Sequence, residues 1–178
     1  MRLKELSTGN GDEGFSSLKD GKKIRKDSDV FEALGTLDKL SSYIGLVKAT
    51  LKDQEIIKQL TYIQGILYKI GSSIADPIGF IKSGLKDLIP AKLKKIEKFE
   101  SKILEKIRIA NVIVIPGKNQ ISAHVDIART ICREFERKLV KFIYENKRES
   151  LKVFIPLVNR LGDYLYALAR YTENKRAK

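Results

Sequence analysis

Cysteine, histidine, proline and tryptophan are scarce in this chain of 178 residues, which has one Cys, one His, four Pro and no Trp. The single thiol, Cys132, excludes an internal disulfide and favours a reducing compartment. No triad pattern accompanies it, so we interpret Cys132 as a core residue. His124 has no Cys or His cluster around it, so a zinc site is not expected.

Long apolar runs are also lacking, since no stretch approaches the roughly 18 residues that a membrane helix needs. Residues 1–7 are polar and charged and have no apolar centre of the signal-peptide kind. We therefore expect a single cytoplasmic domain, 1–178, that has no membrane partner.

Positive charge is abundant, because 35 Lys and Arg against 22 Asp and Glu give a net charge of +13. This charge favours an anionic partner, which could be nucleic acid, a membrane surface or a phosphorylated ligand. The lysines are spread over all the predicted helices and alternate with acids, so we do not expect a nucleic-acid partner. Steep weakening of binding with salt would indicate one.

Apolar residues recur every three or four positions over most of the chain, which predicts an all-α fold. The predicted helices cover 29–50, 53–75, 90–107, 120–146 and 149–171, with Pro90 opening the third and Pro156 near the first turns of the fifth. They form a helical bundle over 30–172. Residues 112–115 are predicted to be an extended buried connector, and 173–178 a frayed tail.

Residues 7–29 are rich in Gly, Ser, Asp and Lys and are predicted to be a loop, ordered alone or on binding a ligand. Within it, the segment from Thr8 to Ser17 has three glycines and several hydroxyls, so backbone N–H groups could converge on an anion. The terminal Gly-Lys-Ser/Thr of a Walker A loop is missing. A flexible polar N-terminus would have the same composition.

The helix predicted at 120–146 has charged side chains spaced by three and four, which places them on one face. They are Asp126, Arg129, Arg133, Glu136 and Arg137. Guanidiniums with carboxylates in reach are suited to binding a polyphosphate, because Arg binds phosphate oxygens in pairs and keeps its charge. A solvated, salt-bridged surface is the alternative.

Two further polar residues stand out in predicted helices. Asn159 is unfavourable inside a helix unless its amide has a partner, which could be a ligand or another helix. Asp38 falls on an apolar stripe and would need a cationic partner if buried. By elimination, Arg129 is the candidate.

Motifs over residues 7–171 occur in the order found in one family. They are the loop from Thr8 to Ser17, Lys26-Asp27, the segment from Val30 to Asp38, Ile63-Gln64, Pro116-Gly117, the segment from Arg129 to Arg137, and the segment from Asn159 to Leu165. The chain resembles the PduO-type ATP:cob(I)alamin adenosyltransferases. This resemblance implies a five-helix bundle with ferritin-like up-down packing, an ordered glycine-rich loop, and a homotrimer with sites between subunits.

The resemblance also implies a reaction. The 5′-deoxyadenosyl group of ATP would pass to the cobalt of cob(I)alamin, giving adenosylcobalamin and triphosphate, with Mg²⁺ neutralising the leaving group. Implied partners are a corrinoid reductase and a cobalamin-dependent mutase. The cobalt(I) atom of the substrate would be the nucleophile, so the protein would act by positioning and electrostatics.

Site residues follow from the same resemblance. Those matching ATP-binding positions are Thr8, Gly9, Asn10, Gly11, Ser16, Ser17, Lys26, Arg133, Glu134, Phe135, Glu136, Arg137 and Asn159. Those on the corrinoid side are Glu32, Asp38, Ile113 and Arg129. The resemblance implies catalytic roles for Asp38, Arg129 and Arg133, and a salt bridge between Asp38 and Arg129 across the subunit interface.

Five positions depart from the family pattern. Gly9 replaces a Lys, Lys39 an acidic residue, Ile113 a Phe, Asp126 a His and Glu134 an Arg. Ile113 lacks the aromatic face of the Phe that it replaces, so we expect less efficient activation of the corrinoid. An ATP-binding sensory or degenerate bundle without transferase activity is therefore the alternative function.

Overall fold

The computed structural model describes residues 9–108 and 113–173. Within them, the α-helices are α1 (Asp29–Thr50), α2 (Gln54–Ala75), α3 (Pro77–Lys82), α4 (Leu85–Leu104), α5 (Gln120–Glu145) and α6 (Phe154–Glu173). The predicted all-α class is confirmed, and the bounds of α1, α2 and α5 lie within one residue of the predicted ones. The short helix α3 was not predicted.

The start of α4 differs from the prediction, which placed it at Pro90. The helix begins at Leu85, after Gly84 in the left-handed conformation with φ +64°. Pro90 lies in the second turn, where its missing N–H leaves the carbonyl of Lys86 without its usual helical donor. A proline in the second turn of a helix removes one hydrogen bond, and the helix tolerates this loss. Pro90 therefore does not mark the start of α4, as the sequence had suggested.

The start of α6 also differs. Residues Glu149–Val153 form a 3₁₀ turn, and the α-helix begins only at Phe154. Pro156 therefore occupies the first turn of α6, where its N–H would have no helical acceptor. At the other end, Glu173 closes α6 rather than beginning the predicted tail, and residues 174–178 lie outside the described part of the chain.

The core lies where α5 packs against α1 and α6, with α4 against α6 and α2 against α1. Polar side chains also join the helices inside it. The Tyr164 hydroxyl on α6 donates to Oε1 of Gln59 on α2 at 3.0 Å. Gln64 donates to the carbonyl of Ser41 on α1 at 2.9 Å. These bonds fix the positions of α1, α2 and α6, and thereby the frame that carries α5.

A short antiparallel hairpin lies in the segment that was predicted to be only a loop. Strand β1 (Phe15–Ser17) pairs with β2 (Lys23–Arg25), with Ser16 opposite Ile24. Ile24 packs against the core. Lys19, in the turn of the hairpin, forms an ion pair of 2.9 Å with Asp76 at the end of α2. The hairpin is thus attached to the helices at both ends.

The connector between α4 and α5 contradicts its predicted burial. Ile113 is 96% exposed and Ile115 is 84% exposed. Val112 lies outside the described residues. An apolar run followed by a turn signal suggests burial within the same chain, and in this protomer the two isoleucines instead face outward. Among the described helices, none combines the length and apolarity that crossing a membrane requires.

Candidate functional site

The glycine-rich loop surrounds an open cavity of about 650 Å³. Its lining includes the predicted residues Gly9, Asn10, Gly11, Ser16 and Ser17, together with Asp12, Glu13, Phe15 and Lys23. Thr8 lies outside the described residues. The structure therefore brings five of the predicted loop residues around one polar hollow, which has space for phosphate groups.

Gly11 lets Lys26 approach the loop. Its φ is +104°, and a Cβ there would lie 2.9 Å from Nζ of Lys26 and 3.1 Å from the carbonyl oxygen of Phe15. The backbone N–H of Lys26 donates to the carbonyl of Gly14 at 2.9 Å. Only glycine fits this conformation and this contact without strain. As a result, one ammonium group lies beside the loop.

A second cavity, of about 250 Å³, lies between α4, α5 and α6. Arg129 and Arg133 line it from α5, facing Glu100 on α4 and Asp163 on α6. Burial raises the pKa of Glu100, and the nearby Asp163 raises it further. The cavity thus has a mainly apolar lining with two guanidiniums and two acids at its wall, and Asp163 is also paired with Arg160 at 2.8 Å. Such charged groups could orient a charged ligand.

Asp126 and Phe135 are both buried, although one was predicted on the charged face of α5 and the other matched a nucleotide-binding position. Asp126 was predicted to share the arginine face, but it is buried, with 4% of its surface exposed. Phe135 matched a nucleotide-binding position, yet its side chain is fully buried in the core. Phe135 lies two residues from Arg133, on roughly the opposite side of α5, and its side chain packs in the core. Asp126 lies nearly in line with Arg133 along the helix, and it is buried because Arg170 of α6 packs over it.

Asp126 belongs to a group of four charged residues that we call the buried charge cluster: Asp126, Arg129, Arg170 and Glu173. Oδ1 of Asp126 accepts from Nε of Arg129 at 3.1 Å, and Oδ2 accepts from Nη2 of Arg170. Arg170 also pairs with Oε1 of Glu173 at 3.0 Å. Two carboxylates and two guanidiniums therefore neutralise one another between α5 and α6.

A second group, the surface charge cluster, consists of Glu32, Lys39, Glu134 and Lys138 between α1 and α5. Nζ of Lys138 lies 2.7 Å from Oε2 of Glu32 and 3.0 Å from Oε1 of Glu134. Nζ of Lys39 lies 3.3 Å from Oε2 of Glu134. The hydrogen bond from Lys138 lowers the pKa of Glu134.

The surface charge cluster explains two departures from the family pattern together. Lys39 replaces an acid and Glu134 replaces an Arg, and these two residues are partners in the structure. The two residues carry opposite charges and attract each other. Glu134, which matched a nucleotide-binding position, forms ion pairs with two lysines in this protomer.

Three other predicted residues are exposed on the protomer: Asp38, Arg137 and Asn159. Asp38 does not lie on the buried face of α1, contrary to the sequence interpretation, and among the described residues of one protomer Arg129 pairs with Asp126 rather than with Asp38. The cavity at the glycine-rich loop and the cavity at Arg133 have no lining residue in common. One protomer thus presents the predicted site as separate parts.

Sequence reasoning missed Lys138, Arg170 and Glu100. Lys138 follows Glu134 by four residues, a spacing that predicts an ion pair. Arg170 interrupts an apolar stretch of α6, which signals a buried charge with partners. Glu100 gave no such signal, because its place opposite Arg129 depends on how α4 packs.

Metal ligands are the remaining question for the site. The residues described contain no group of three or more His, Cys, Asp or Glu that could hold a metal ion. The Cys132 thiol donates to the carbonyl of Val158 at 3.5 Å, and burial raises its pKa. It therefore acts as a core residue, as its surroundings in the sequence suggested.

Known proteins resemble this chain over nearly its whole length. The profile of the family described as Cobalamin adenosyltransferase matches residues 6–172. The human corrinoid adenosyltransferase is 32% identical over 179 residues, covering 98% of this chain and 71% of the human protein. The corrinoid adenosyltransferase of Citrobacter freundii is 32% identical over 171 residues, covering 94% of each chain.

A solved structure gives the same result. A variant of the PduO-type ATP:corrinoid adenosyltransferase from Lactobacillus reuteri, complexed with cobalamin and ATP, has a TM-score of 0.82 and 26% sequence identity to this chain. The similarity covers 94% of this chain and 93% of that one. The chain therefore belongs to the cobalamin adenosyltransferase family, as a PduO-type enzyme of the transferase class.

Proposed function

We propose that this enzyme transfers the 5′-deoxyadenosyl group of ATP to the cobalt of cob(I)alamin at sites shared between the subunits of a homotrimer. Cobalt(I) attacks the C5′ carbon of ATP, the C5′–O bond breaks, and triphosphate leaves with the bonding electrons. The observation that carries this proposal is the cavity where Arg129 and Arg133 face α6, in a chain matched by the family over 6–172.

The nucleotide half of the site is assigned to two segments. The loop residues Gly9 to Gly11, with Ser16, Ser17 and Lys26, bind the phosphates through backbone N–H groups, hydroxyls and one ammonium. Arg133 and Arg137 neutralise the triphosphate as it leaves, and Asn159 contacts the nucleotide. Phosphate binding here needs charge and geometry, but no covalent nucleophile.

Magnesium is expected to arrive with the triphosphate. Mg²⁺ is usually held by substrate phosphates and one or two carboxylates rather than by an all-protein cage. Glu136, between the two arginines in sequence, is the carboxylate we assign to it. When bound, the ion would spread the negative charge of the leaving group.

The corrinoid half is assigned to Glu32, Asp38, Arg129 and Ile113. The exposed Ile113 supplies an apolar surface that can exclude water from the cobalt face, in place of an aromatic ring. The exposed Asp38 is free to meet Arg129 of another subunit. Each subunit would be a five-helix bundle with up-down packing. Assembly of three such subunits would cover the isoleucines of the connector.

Cellular context belongs to the same proposal. Cob(I)alamin must be supplied by a corrinoid reductase, and adenosylcobalamin would be consumed by a cobalamin-dependent mutase. A cytoplasmic location fits the single unpaired Cys132, because reducing conditions keep such thiols free.

An anaerobic assay with ATP, Mg²⁺ and chemically reduced cobalamin tests the reaction. We expect the visible spectrum of cob(I)alamin to give way to that of adenosylcobalamin, and Arg133→Ala to lower kcat by about 10²–10³-fold. Arg148→Ala, at an exposed arginine beyond α5, is the matched control and should be unchanged. ATP binding without conversion would support the sensory or degenerate alternative.

Mixed trimers test whether the site is shared. Gly11→Ala disrupts the loop and Arg133→Ala the arginine cavity, so each homotrimer should be nearly inactive. If the loop and the arginine cavity of one site come from different subunits, random co-assembly of the two variants should restore about a quarter of the wild-type activity. One site in four then combines an intact loop with an intact arginine cavity. No recovery in verified mixed trimers would mean that the loop and the arginine cavity of each site come from one subunit.

A further inference from the structure

Arg129 owes its orientation to residues that the family resemblance does not assign. Its Nε donates to Asp126 at 3.1 Å, and the opposite oxygen of the same carboxylate accepts from Arg170. Asp126 is 4% exposed and Arg170 is 7% exposed. A carboxylate with both oxygens engaged and no room to rotate holds the guanidinium of Arg129 in one direction.

Arg170 is itself fixed from several sides. It pairs with Glu173 at 3.0 Å, and its guanidinium carbon lies 5.2 Å from the centre of the Tyr166 ring. Tyr166 also lines the cavity that contains Arg129 and Arg133. The last turn of α6 is thus connected to the arginine cavity through a charge pair and an aromatic ring.

The start of α5 is tied to the same turn of α6. Asn119 caps α5 by accepting from the backbone N–H of Ser122, and its Nδ2 donates to the carbonyl of Thr172 at 2.9 Å. The backbone that carries Asp126 is therefore held close to the backbone that carries Arg170. This leaves the pair little freedom to separate.

Burying the charges of Asp126 and Arg170 is unfavourable compared with packing apolar groups of the same size. A purely structural role at this position would be served by leucine or methionine, so a buried charge cluster needs a further reason. Arg129 provides it. Its Nε is engaged by Asp126, while within the described residues its terminal nitrogens form no ion pair.

Arg129 also occupies a boundary. It lines the cavity between α4, α5 and α6 that was described above. It also lines a third cavity, of about 270 Å³, which includes Pro116 and Gly117 of the connector. With Nε bonded to Asp126, the terminal N–H groups on the far edge of the guanidinium are directed away from that carboxylate. They remain available to an acid or a ligand in these cavities.

We propose that Asp126 and Arg170 are positioning residues that fix the guanidinium of Arg129 toward the corrinoid side of the site. The inference rests on the proposed function for what Arg129 contacts. The orientation of Arg129 itself rests only on the buried charge cluster. Asp126 thus acts through Arg129 and does not touch substrate.

A double-mutant cycle tests this role. Asp126→Asn should raise the KM for cob(I)alamin roughly ten-fold and leave the KM for ATP nearly unchanged, since only the orientation of Arg129 is lost. Adding Asp126→Asn to Arg129→Gln should then cause no further loss. Arg170→Lys, a milder change than full removal, should follow Asp126→Asn in direction.

Glu149→Gln is the matched control, because it removes an exposed ion pair with Lys152 far along the chain from the cluster. It should change neither KM. If the effects of Asp126→Asn and Arg129→Gln instead multiply, or if both KM values change together, Asp126 acts independently of Arg129 and the proposal is overturned.

A spectroscopic measurement separates this proposal from the proposed function. In protein labelled with ¹⁵N-arginine, the Nε–H signal of Arg129, assigned with Arg129→Lys, should exchange slowly with solvent. Asp126→Asn and Arg170→Lys should shift it and speed its exchange. If that holds in a protein without transferase activity, the proposed reaction fails and the positioning role stands. A signal that Asp126→Asn leaves unchanged overturns the positioning role.

Discussion

The two charge clusters of this protein use the same kinds of residue in different surroundings. In the surface charge cluster, the side chains of Lys39 and Glu32 are each 52% exposed. In the buried charge cluster, those of Asp126 and Arg170 are 5% and 7% exposed. Water can replace a lost partner at the surface but not between α5 and α6. A change at one surface charge should therefore be tolerated, whereas the buried charges must change together.

Removal of one buried charge should have the largest effect. Arg170→Met leaves Glu173 without its partner and Asp126 with only Arg129, so we expect a loss of about 3 kcal/mol of unfolding free energy. This corresponds to a fall in Tm of about 6–12 °C for a chain of this size. Thermal unfolding followed by circular dichroism would measure it. A fall no larger than that of a surface variant would remove the distinction between the clusters.

Removal of both members of the buried pair should be milder than removal of one. In Asp126→Leu with Arg170→Met, the most buried carboxylate is removed together with its partner, and apolar groups fill similar space. Glu173 and Arg129 lose their partners, but their side chains are 12% and 23% exposed and can reach water more easily. We expect the double variant to recover at least half of the stability lost in Arg170→Met. Denaturant unfolding of the single and double variants would check this. Additive losses would mean that packing, not charge, dominates at this position.

Removal of the central surface charge should have a small effect. Lys138→Met breaks contacts with Glu32, Glu134 and Thr36, but these partners can turn to water. The expected loss is about 0–1 kcal/mol, and salt should reduce it. Unfolding at low and high salt would measure both. A loss equal to that of Arg170→Met would show that exposure does not set the difference.

The smallest effect concerns pH. Lys138 lowers the pKa of Glu134 below its ordinary value of 4.5. The resulting stabilisation is present above the pKa of the unfolded chain and disappears as pH falls through the lower pKa of the folded state. Glu134→Gln should lower Tm slightly near about pH 7 and not near about pH 3. A difference that persists in acid would trace to packing instead.

The sequence predicted the long helices well where their ends carry local signals. Asp53 and Asn119 cap α2 and α5 with their own side chains, and such caps are visible in the residue order. The start of α4 was missed because Pro90 is a strong local signal for a helix start, while Leu85 gains its place through packing. Local chemistry is visible in sequence, and packing decisions are not.

The site shows the same division. The loop glycines and the α5 arginines were proposed as phosphate ligands from residue types and spacing, since phosphate binding needs such groups. The inward position of Asp126 could not, because a helix stripe does not reveal which charges find partners on another helix. Arg170 lies 44 residues away in sequence, beyond any local pattern. The exposure of Ile113 was missed because apolar runs suggest burial within one chain, and take no account of other subunits.

Chemical modification of Cys132 can report how often α5 and α6 separate. It is the only cysteine in the chain, and its thiol is enclosed between α5 and α6, bonded to Val158. A thiol reagent can reach it only when these two helices separate. The rate of modification in the native protein therefore reports how often the core opens, without any added label. The same measurement in the presence of ATP or cobalamin would show how strongly each substrate keeps the helices closed.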